Sequence, residues 1–228
     1  MLRGIKAVFF DMDGTLLNSN HIPKLVDNVF FKFHNMEVPK DLSKKLYGMS
    51  LFQSCQYFTT IGVKGTAEEI HRQWMSVALK TYLEKATLKK GADRLVKYLH
   101  DKGYKTAIVT SNDPQIAEAL SKSNNIRHLF DAICSSNEVV KAKPEPDVYL
   151  HAARKLGVQP KDCLTFEDTV SGITSGKKAG MKVCAIYDTN SVPYDPIKKQ
   201  LSDFYINDFD EVLDNTYEIL HQINAVEK

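Results

Sequence analysis

Two carboxylates stand one residue apart, directly after a short apolar run near the start of the chain. The run Ala7–Phe10 is too short for a helix and predicts a strand buried on both faces, which leads into Asp11 and Asp13. Burying two carboxylates costs free energy unless a cation or strong hydrogen-bond donors meet them. A hard divalent cation such as Mg²⁺ prefers oxygen ligands of this kind. A solvated turn is the alternative, because Asp and the following Gly14 also favour turns.

Further polar side chains follow two later predicted strands, Lys105–Val109 and Asp162–Phe166. In a parallel sheet the carboxyl ends of the strands lie along one edge, where open α/β sheets bind ligands. Side chains that are distant in the sequence would therefore converge in one crevice. The side chains in question are Ser111, Asn112, Glu167 and Asp168.

A lysine between two prolines is the remaining candidate for this crevice. Lys143 lies in a loop that Pro144 and Pro146 stiffen, and the loop precedes a predicted helix. Carboxylates, a lysine and donors at a helix start together describe a site for Mg²⁺ and a phosphate. Asp11 could then be a nucleophile that forms a phospho-aspartate, and Asp13 a general acid and base. Taken singly, each of these signals is also compatible with a helix cap, a solvated loop or a solvated turn.

The elements that must position these residues alternate between strand and helix after Gly91. Such alternation predicts an α/β fold with a doubly wound, mostly parallel sheet. No strand is predicted between residues 18 and 87, so an all-helical block is inserted after the first strand. The predicted domains are a core of residues 1–17 and 87–228 and a helical cap of residues 18–86. A last helix is predicted from Phe209 to about Ala225.

Local patterns within the helical block give more detailed expectations. Thr66 and Glu69 have the spacing of a capping box at the start of a long helix. Gly48 is expected to end a helix, and the segment Gly48–Ser50 either faces the crevice or forms a simple turn. Apolar residues at helical spacing predict one buried face on the first helix. These residues are Leu25, Val29, Phe30 and Phe33.

Composition excludes several classes of partner. The 228 residues carry a net charge of +2, which gives no reason to expect a nucleic-acid or membrane partner. No segment approaches 18 consecutive apolar residues. The four cysteines show no CxxC spacing, so we expect reduced thiols and a cytoplasmic protein. A monomer or weak dimer that binds a small molecule is the expected form.

Four blocks of sequence resemble the haloacid dehalogenase-like hydrolase superfamily. They are FFDMDGTLL at 9–17, IVTSN at 108–112, KPEPDVY at 143–149, and LTFEDTVSGI at 164–173 followed by KKAGM at 177–181. The blocks occur in the family's order and span essentially the whole chain. The helical insertion resembles the cap of the branch that holds phosphoglycolate phosphatases, sugar-phosphate phosphatases and β-phosphoglucomutases.

The resemblance implies a role for each acidic residue. Asp11 would be the nucleophile, and Asp13 the general acid and base. Asp11, Asp13 (through its backbone carbonyl) and Asp168 would hold Mg²⁺. Glu167 would lie beside the metal or act on it through water. The presence of Asp13 favours phosphoryl transfer over dehalogenation, because true dehalogenases of the superfamily lack an Asp at this position.

The resemblance also implies how phosphate would be held. Ser111 and the amide of Asn112 would bind the phosphoryl oxygens, and Lys143 would bridge Asp11 and the phosphate. The expected protein is an Mg²⁺-dependent phosphatase that hydrolyses a small phosphorylated metabolite, such as a sugar phosphate or a phosphoglycolate-like ester, through a phospho-aspartate.

Two alternatives to this function stay open at the level of the sequence. A phosphomutase of the β-phosphoglucomutase type is the first. Many relatives have Asp, Glu and His where this chain has Asn18, Asn20 and Pro23, and His21 stands two residues early. Since that His helps to gate the acid and base in the mutase branch, its absence weighs against a mutase. A non-catalytic phosphate-binding protein is the second alternative.

Overall fold

The computed structural model describes residues 1–46 and 49–220, and the chain divides into two compact units. The larger unit comprises Met1–Asn18 and Thr87–Lys228, and the smaller one Ser19–Ala86. The smaller unit interrupts the larger one after its first long strand. Asn18, which the sequence assigns to the helical block, lies in the larger unit.

The larger unit is built on a mostly parallel sheet of seven strands within the described residues. Its strand order is β5-β4-β1-β6-β7-β8-β9, and only β9 is antiparallel to its neighbour. The predicted α/β class with a doubly wound, mostly parallel sheet is confirmed. The seven strands of this sheet are β1 (Ala7–Phe10), β4 (Lys105–Thr110), β5 (Ala132–Ser135), β6 (Cys163–Glu167), β7 (Lys182–Ile186), β8 (Phe204–Ile206) and β9 (Glu218–Ile219). A separate antiparallel pair is formed by β2 (Leu17–Asn18) and β3 (Thr87–Leu88).

The described part of the chain has four α-helices in the smaller unit and six in the larger one, and the helix at Asp195–Leu201 was not predicted. Among the described residues, no helix is both long enough and apolar enough to cross a membrane. The smaller unit contains α1 (Ile22–Phe33), α2 (Leu42–Leu46), α3 (Leu51–Thr60) and α4 (Ala67–Lys85). The larger unit contains α5 (Ala92–Asp101), α6 (Pro114–Ser123), α7 (Asp147–Leu156), α8 (Val170–Lys178), α9 (Asp195–Leu201) and α10 (Asp210–Leu213).

Strand β1 lies at the centre of the sheet, and the order of the strands reverses beside it. From β1 the chain builds outward through β4 and β5, and then returns to the other side of β1 through β6. Such a reversal opens a crevice outside the carboxyl ends of the strands. Buried aromatic residues hold this centre, since the ring of Phe10 lies 5.1–5.9 Å from the rings of Phe130, Phe166 and Phe209.

The end of the described chain differs from the sequence prediction. Helix α10 stops at Leu213, and β9 then pairs with β8, so the helix predicted from Phe209 is wrong between Asp214 and Leu220. Asn215 adopts a left-handed φ of 56°, which ends the helix and turns the chain back. Residues 221–225 of that prediction lie outside the described residues. The short strands β2 and β3 were not predicted, because two residues carry no periodicity.

The helical unit has its own apolar core, to which α1 contributes Phe30 but not the other three apolar residues predicted for its buried face. The buried residues of α1 are Ile22, Val26, Phe30 and Phe31, whereas Leu25, Val29 and Phe33 are 36%, 49% and 67% exposed. Helix α1 carries two apolar stripes at helical spacing, so periodicity cannot choose between them. The predicted capping box of Thr66 and Glu69 is present at the start of α4. The prediction for Gly48 falls outside the described residues.

The helical unit contains a half-buried acid, Asp27, whose protonation can be followed through a neighbouring tryptophan. Asp27 on α1 accepts a hydrogen bond from the only tryptophan of the chain, Trp74 on α4, and burial raises the pKa of Asp27 to about 6. Burial disfavours the charged form of Asp27 in the folded state, so Asp27 contributes to the stability of the fold only while it is neutral. This contribution is complete below pH ~4 and is lost as the pH rises through 6.

We expect the fluorescence of Trp74 to change with a midpoint near pH 6 in the native chain and to stay flat in Asp27→Asn. The free energy of unfolding, measured with urea relative to Asp27→Asn, should fall by on the order of 1–3 kcal/mol between pH 4 and 7. His71 lies one turn before Trp74, so His71→Gln is the control and should keep the transition. A transition that disappears in His71→Gln but persists in Asp27→Asn would contradict the assignment.

Candidate active site

The chain makes a tight turn where β1 ends, and this turn keeps Asp11 and Asp13 at the edge of the sheet. Gly14 has a φ of +78° and donates its N–H to the carbonyl of Leu17 at 2.9 Å. The N–H of Leu17 donates in turn to the carbonyl of Met12 at 3.0 Å. A residue with a Cβ would be strained at Gly14, which explains the glycine in this position.

One ammonium group joins three neighbouring strands at the same level of the sheet. Phe10 of β1 lies in register with Ile108 of β4 and Phe166 of β6, so the next residues, Asp11, Val109 and Glu167, also form one row. The Nζ of Lys143 donates to Asp11 Oδ1 at 2.7 Å, to the carbonyl of Val109 at 3.0 Å and to Glu167 Oε1 at 2.7 Å. The side chain of Lys143 is only 6% exposed. Lys143 therefore lies where the sequence predicted it.

Tyr149 completes the surroundings of this ammonium from helix α7. Its hydroxyl donates to Glu167 Oε1 at 2.5 Å, and its ring centroid lies 5.2 Å from the Nζ of Lys143. The ring also stacks on Phe9, two residues before Asp11 and on the same face of β1. Glu167 Oε1 thus accepts from two donors. Sequence reasoning missed Tyr149. In the sequence it is an aromatic residue six positions after Lys143, a pattern that is typical of an ordinary core residue.

Burial and the neighbouring charges shift the pKa values of Lys143, Glu167 and Tyr149. Burial alone would lower the pKa of Lys143, but the carboxylates of Asp11 and Glu167 outweigh it and hold that pKa well above the usual range. Burial raises the pKa of Glu167, with the neighbouring carboxylates of Asp11 and Asp168 acting in the same direction and Lys143 opposing them. Burial and Glu167 also raise the pKa of Tyr149, so its hydroxyl stays a donor.

Three carboxylates form a cluster that fits a divalent cation. Asp11, Glu167 and Asp168 are buried, and each offers an oxygen within 4.8 Å of the others. The Oε2 atom of Glu167 is buried and has no hydrogen-bond partner within the described part of the chain. A buried carboxylate oxygen without a hydrogen-bond partner, close to two other carboxylates, is a suitable ligand for Mg²⁺. Glu167 lies inside this cluster, and the resemblance implies that it lies beside the metal or acts on it through water.

Thr15 is a second residue that sequence reasoning missed. Its Oγ1 donates to Asp168 Oδ1 at 3.2 Å, and both side chains are fully buried. The turn after β1 therefore orients a carboxylate at the end of β6. The proximity of Thr15 to Asp11 and Asp13 in the sequence was the available signal.

The loop after β4 brings Asn112 to Asp13. The Nδ2 of Asn112 donates to Asp13 Oδ2 at 3.0 Å. Ser111 is exposed in the same loop. The backbone N–H of Asn112, which the resemblance assigns to a phosphoryl oxygen, donates to Thr110 Oγ1 at 2.9 Å.

Helix α8 approaches Glu167 through a glycine. A Cβ at Gly172 would lie 1.9 Å from Glu167 Oε2 and 2.2 Å from Oε1, far inside any real contact. Only glycine at this position lets the carboxylate lie against the first turn of α8, where the partial positive charge of a helix start also favours an anion. Thr169 caps that turn by accepting the N–H of Gly172 at 3.1 Å.

The arrangement of a central acid, a buried lysine and an acidic cluster agrees with known proteins. A family model described as haloacid dehalogenase-like hydrolase matches residues 8–186. The chain belongs to this family. The hydrolase is similar to the 6-phosphogluconate phosphatase of Escherichia coli, with 30% identity over 189 residues that cover 78% of this chain and 81% of the relative. Hexitol phosphatase A of the same organism is 30% identical over 182 residues, which cover 79% of this chain and 82% of the relative.

The expected enzyme class, a phosphoric monoester hydrolase, is confirmed by these relatives, but the mutase alternative is not favoured. The solved β-phosphoglucomutase of Clostridium difficile has a TM-score of 0.71 to the hydrolase and covers 92% of this chain and 96% of its own. At 16% identity this likeness shows the fold alone. The curated relatives described above are named phosphatases.

Substitution of Gly172 tests whether the position of Glu167 matters. Because the added methyl group of Gly172→Ala would displace the carboxylate, we expect at least about a 100-fold loss of kcat/KM and a destabilisation of about 1–3 kcal/mol. The measurements are steady-state phosphate release and urea unfolding. Ser171→Ala is the matched control, since Ser171 lies in the same turn but is exposed, and its kcat/KM should stay within about twofold. Activity of Gly172→Ala close to that of the native chain would show that Glu167 need not be held here.

Proposed function

We propose that the hydrolase is an Mg²⁺-dependent phosphatase that acts on a small phosphorylated metabolite through a phospho-aspartate on Asp11. The observation that carries this proposal is the Lys143 ammonium, which is bonded to both Asp11 and Glu167 at 2.7 Å. It fixes one oxygen of Asp11 at the centre of the sheet edge and supplies a permanent positive charge there. An approaching phosphoryl group needs such a charge, because it must come close to several carboxylates.

Each residue of the site has a defined task in this proposal. An oxygen of Asp11 attacks phosphorus, and the bond from phosphorus to the ester oxygen breaks. Asp13 gives its proton to the departing oxygen and later takes one from the water that hydrolyses the phospho-aspartate. Lys143 offsets the charge on the phosphoryl oxygens, and Ser111 contributes a hydroxyl donor to them.

The acidic cluster would hold the cation. Asp11, Glu167 and Asp168 supply carboxylate oxygens, and the backbone carbonyl of Asp13 is the further ligand that the resemblance implies. Bound Mg²⁺ would offset the negative charge that accumulates around the phosphoryl group. Thr15 and Tyr149 orient Asp168 and Glu167 through their hydroxyl groups.

The ester is proposed to be a sugar phosphate or a phosphoglycolate-like compound. The names of the two Escherichia coli relatives, which refer to 6-phosphogluconate and hexitols, support a small polar substrate. We propose that the helical unit Ser19–Ala86 is the cap that selects among such esters, as the resemblance implies.

Phosphate release tests the proposal directly. The purified chain should release inorganic phosphate from members of a panel of sugar phosphates, phosphoglycolate and nucleotides when Mg²⁺ is present, and removal of the metal with EDTA should stop it. Asp11→Asn should lower kcat roughly 10³-fold or more, since it removes the nucleophile. Asp93→Asn is the control, because Asp93 is an exposed acid in the first turn of α5, and it should remain active.

The intermediate can be located chemically. Hydroxylamine added during turnover should convert the acyl phosphate of Asp11 to a hydroxamate, which mass spectrometry of the digested chain would place on that residue. Absence of phosphate release across the whole panel would refute the phosphatase, and a hydroxamate on another carboxylate would refute Asp11 as the nucleophile.

A further inference from the structure

The side chain of Asn112 is held at both ends. Its Oδ1 accepts the backbone N–H of Asp113 at 2.8 Å, and its Nδ2 donates to Asp13 Oδ2 at 3.0 Å. A backbone N–H can only donate, so the oxygen of this amide must face Asp113 and its nitrogen must face Asp13. The orientation of the amide is therefore determined by its neighbours.

The backbone of Asn112 is held equally firmly. Its N–H donates to Thr110 Oγ1 at 2.9 Å, and its carbonyl accepts the hydroxyl of Ser135 at 2.8 Å. Ser135 is fully buried at the end of β5 and also accepts the N–H of Asn137, so its own orientation is set. Residues at the ends of two strands thus brace the loop that presents one amide nitrogen to Asp13.

We propose that Asn112 is a positioning residue for Asp13 and orients its carboxyl group through the side-chain amide. This inference rests on the proposed phosphatase function and deepens it, because the resemblance assigns only the backbone amide of Asn112, and assigns it to phosphate. The bond to Oδ2 fixes the orientation of the Asp13 carboxyl group, which is the general acid of the proposed reaction.

The chemical consequence lies in the first half of the reaction. As the Asp11 oxygen bonds to phosphorus and the ester bond breaks, the departing oxygen takes a proton from the carboxyl group of Asp13, which becomes a carboxylate. A leaving group of high pKa depends on this proton, whereas an aryl leaving group of low pKa departs with little help. Loss of the Asn112 amide should therefore harm alkyl esters selectively.

The experiment compares two esters in the full-length chain with Mg²⁺. For Asn112→Ala and the isosteric Asn112→Asp, kcat/KM should fall about tenfold or more with the best alkyl phosphate of the panel and less than about threefold with p-nitrophenyl phosphate. The inhibition constant of inorganic phosphate for Asn112→Ala should stay within about twofold of the native value.

Asp113→Ala is the matched control. Asp113 caps α6 from the same loop, with its side chain accepting from Gln115, so its loss loosens the loop without removing the Asn112 amide. An equal loss with both esters, a weakened inhibition by phosphate, or the same selective loss in Asp113→Ala would each overturn the proposal. A native chain that hydrolyses neither ester would instead refute the phosphatase function itself.

Discussion

A single buried ammonium group is the interaction on which the arrangement of the site depends. Lys143 bonds to three adjacent strands at one level, and two of its three acceptors are carboxylates. Because a buried charge is costly without partners, each carboxylate here needs the lysine and the lysine needs them. Truncating one member of such a buried pair typically costs about 3–5 kcal/mol, since the other charge is left uncompensated. The hydrogen bond from Lys143 also holds the Asp11 carboxylate in one position, which a nucleophile requires.

The fold supplies the place where this interaction can form. The strand order reverses beside β1, so the carboxyl ends of β4, β1 and β6 border one crevice. Side chains from the surrounding helices then fit around the central row. Tyr149 of α7 donates to Glu167, and Gly172 of α8 leaves room for the same carboxylate. The structure thus reserves space for an anionic side chain that would be unfavourable in an ordinary core.

Much of the framework was predictable from local patterns in the chain. The buried run Ala7–Phe10 and the later strands are continuous apolar segments, and the capping box at Thr66 depends on neighbouring residues alone. Prediction failed where the choice depended on distant packing. Helix α1 has two apolar stripes, and packing against the rest of the helical unit buries the stripe that contains Val26 and leaves the one that contains Val29 exposed. The end of the chain paired with β8 instead of continuing as a helix.

The sequence by itself determined which chemical groups the site could contain, because residue types and their order after strands are local properties. It predicted Asp11, Asp13, Lys143 and the acidic pair after β6 at one edge. Only the tertiary structure decided which of them touch, because these contacts join residues distant in the chain. The separation is 132 positions between Lys143 and Asp11, 99 between Asn112 and Asp13, and 24 between Lys143 and Glu167. Such pairings follow from strand register and helix packing, and no pattern within a short window carries them.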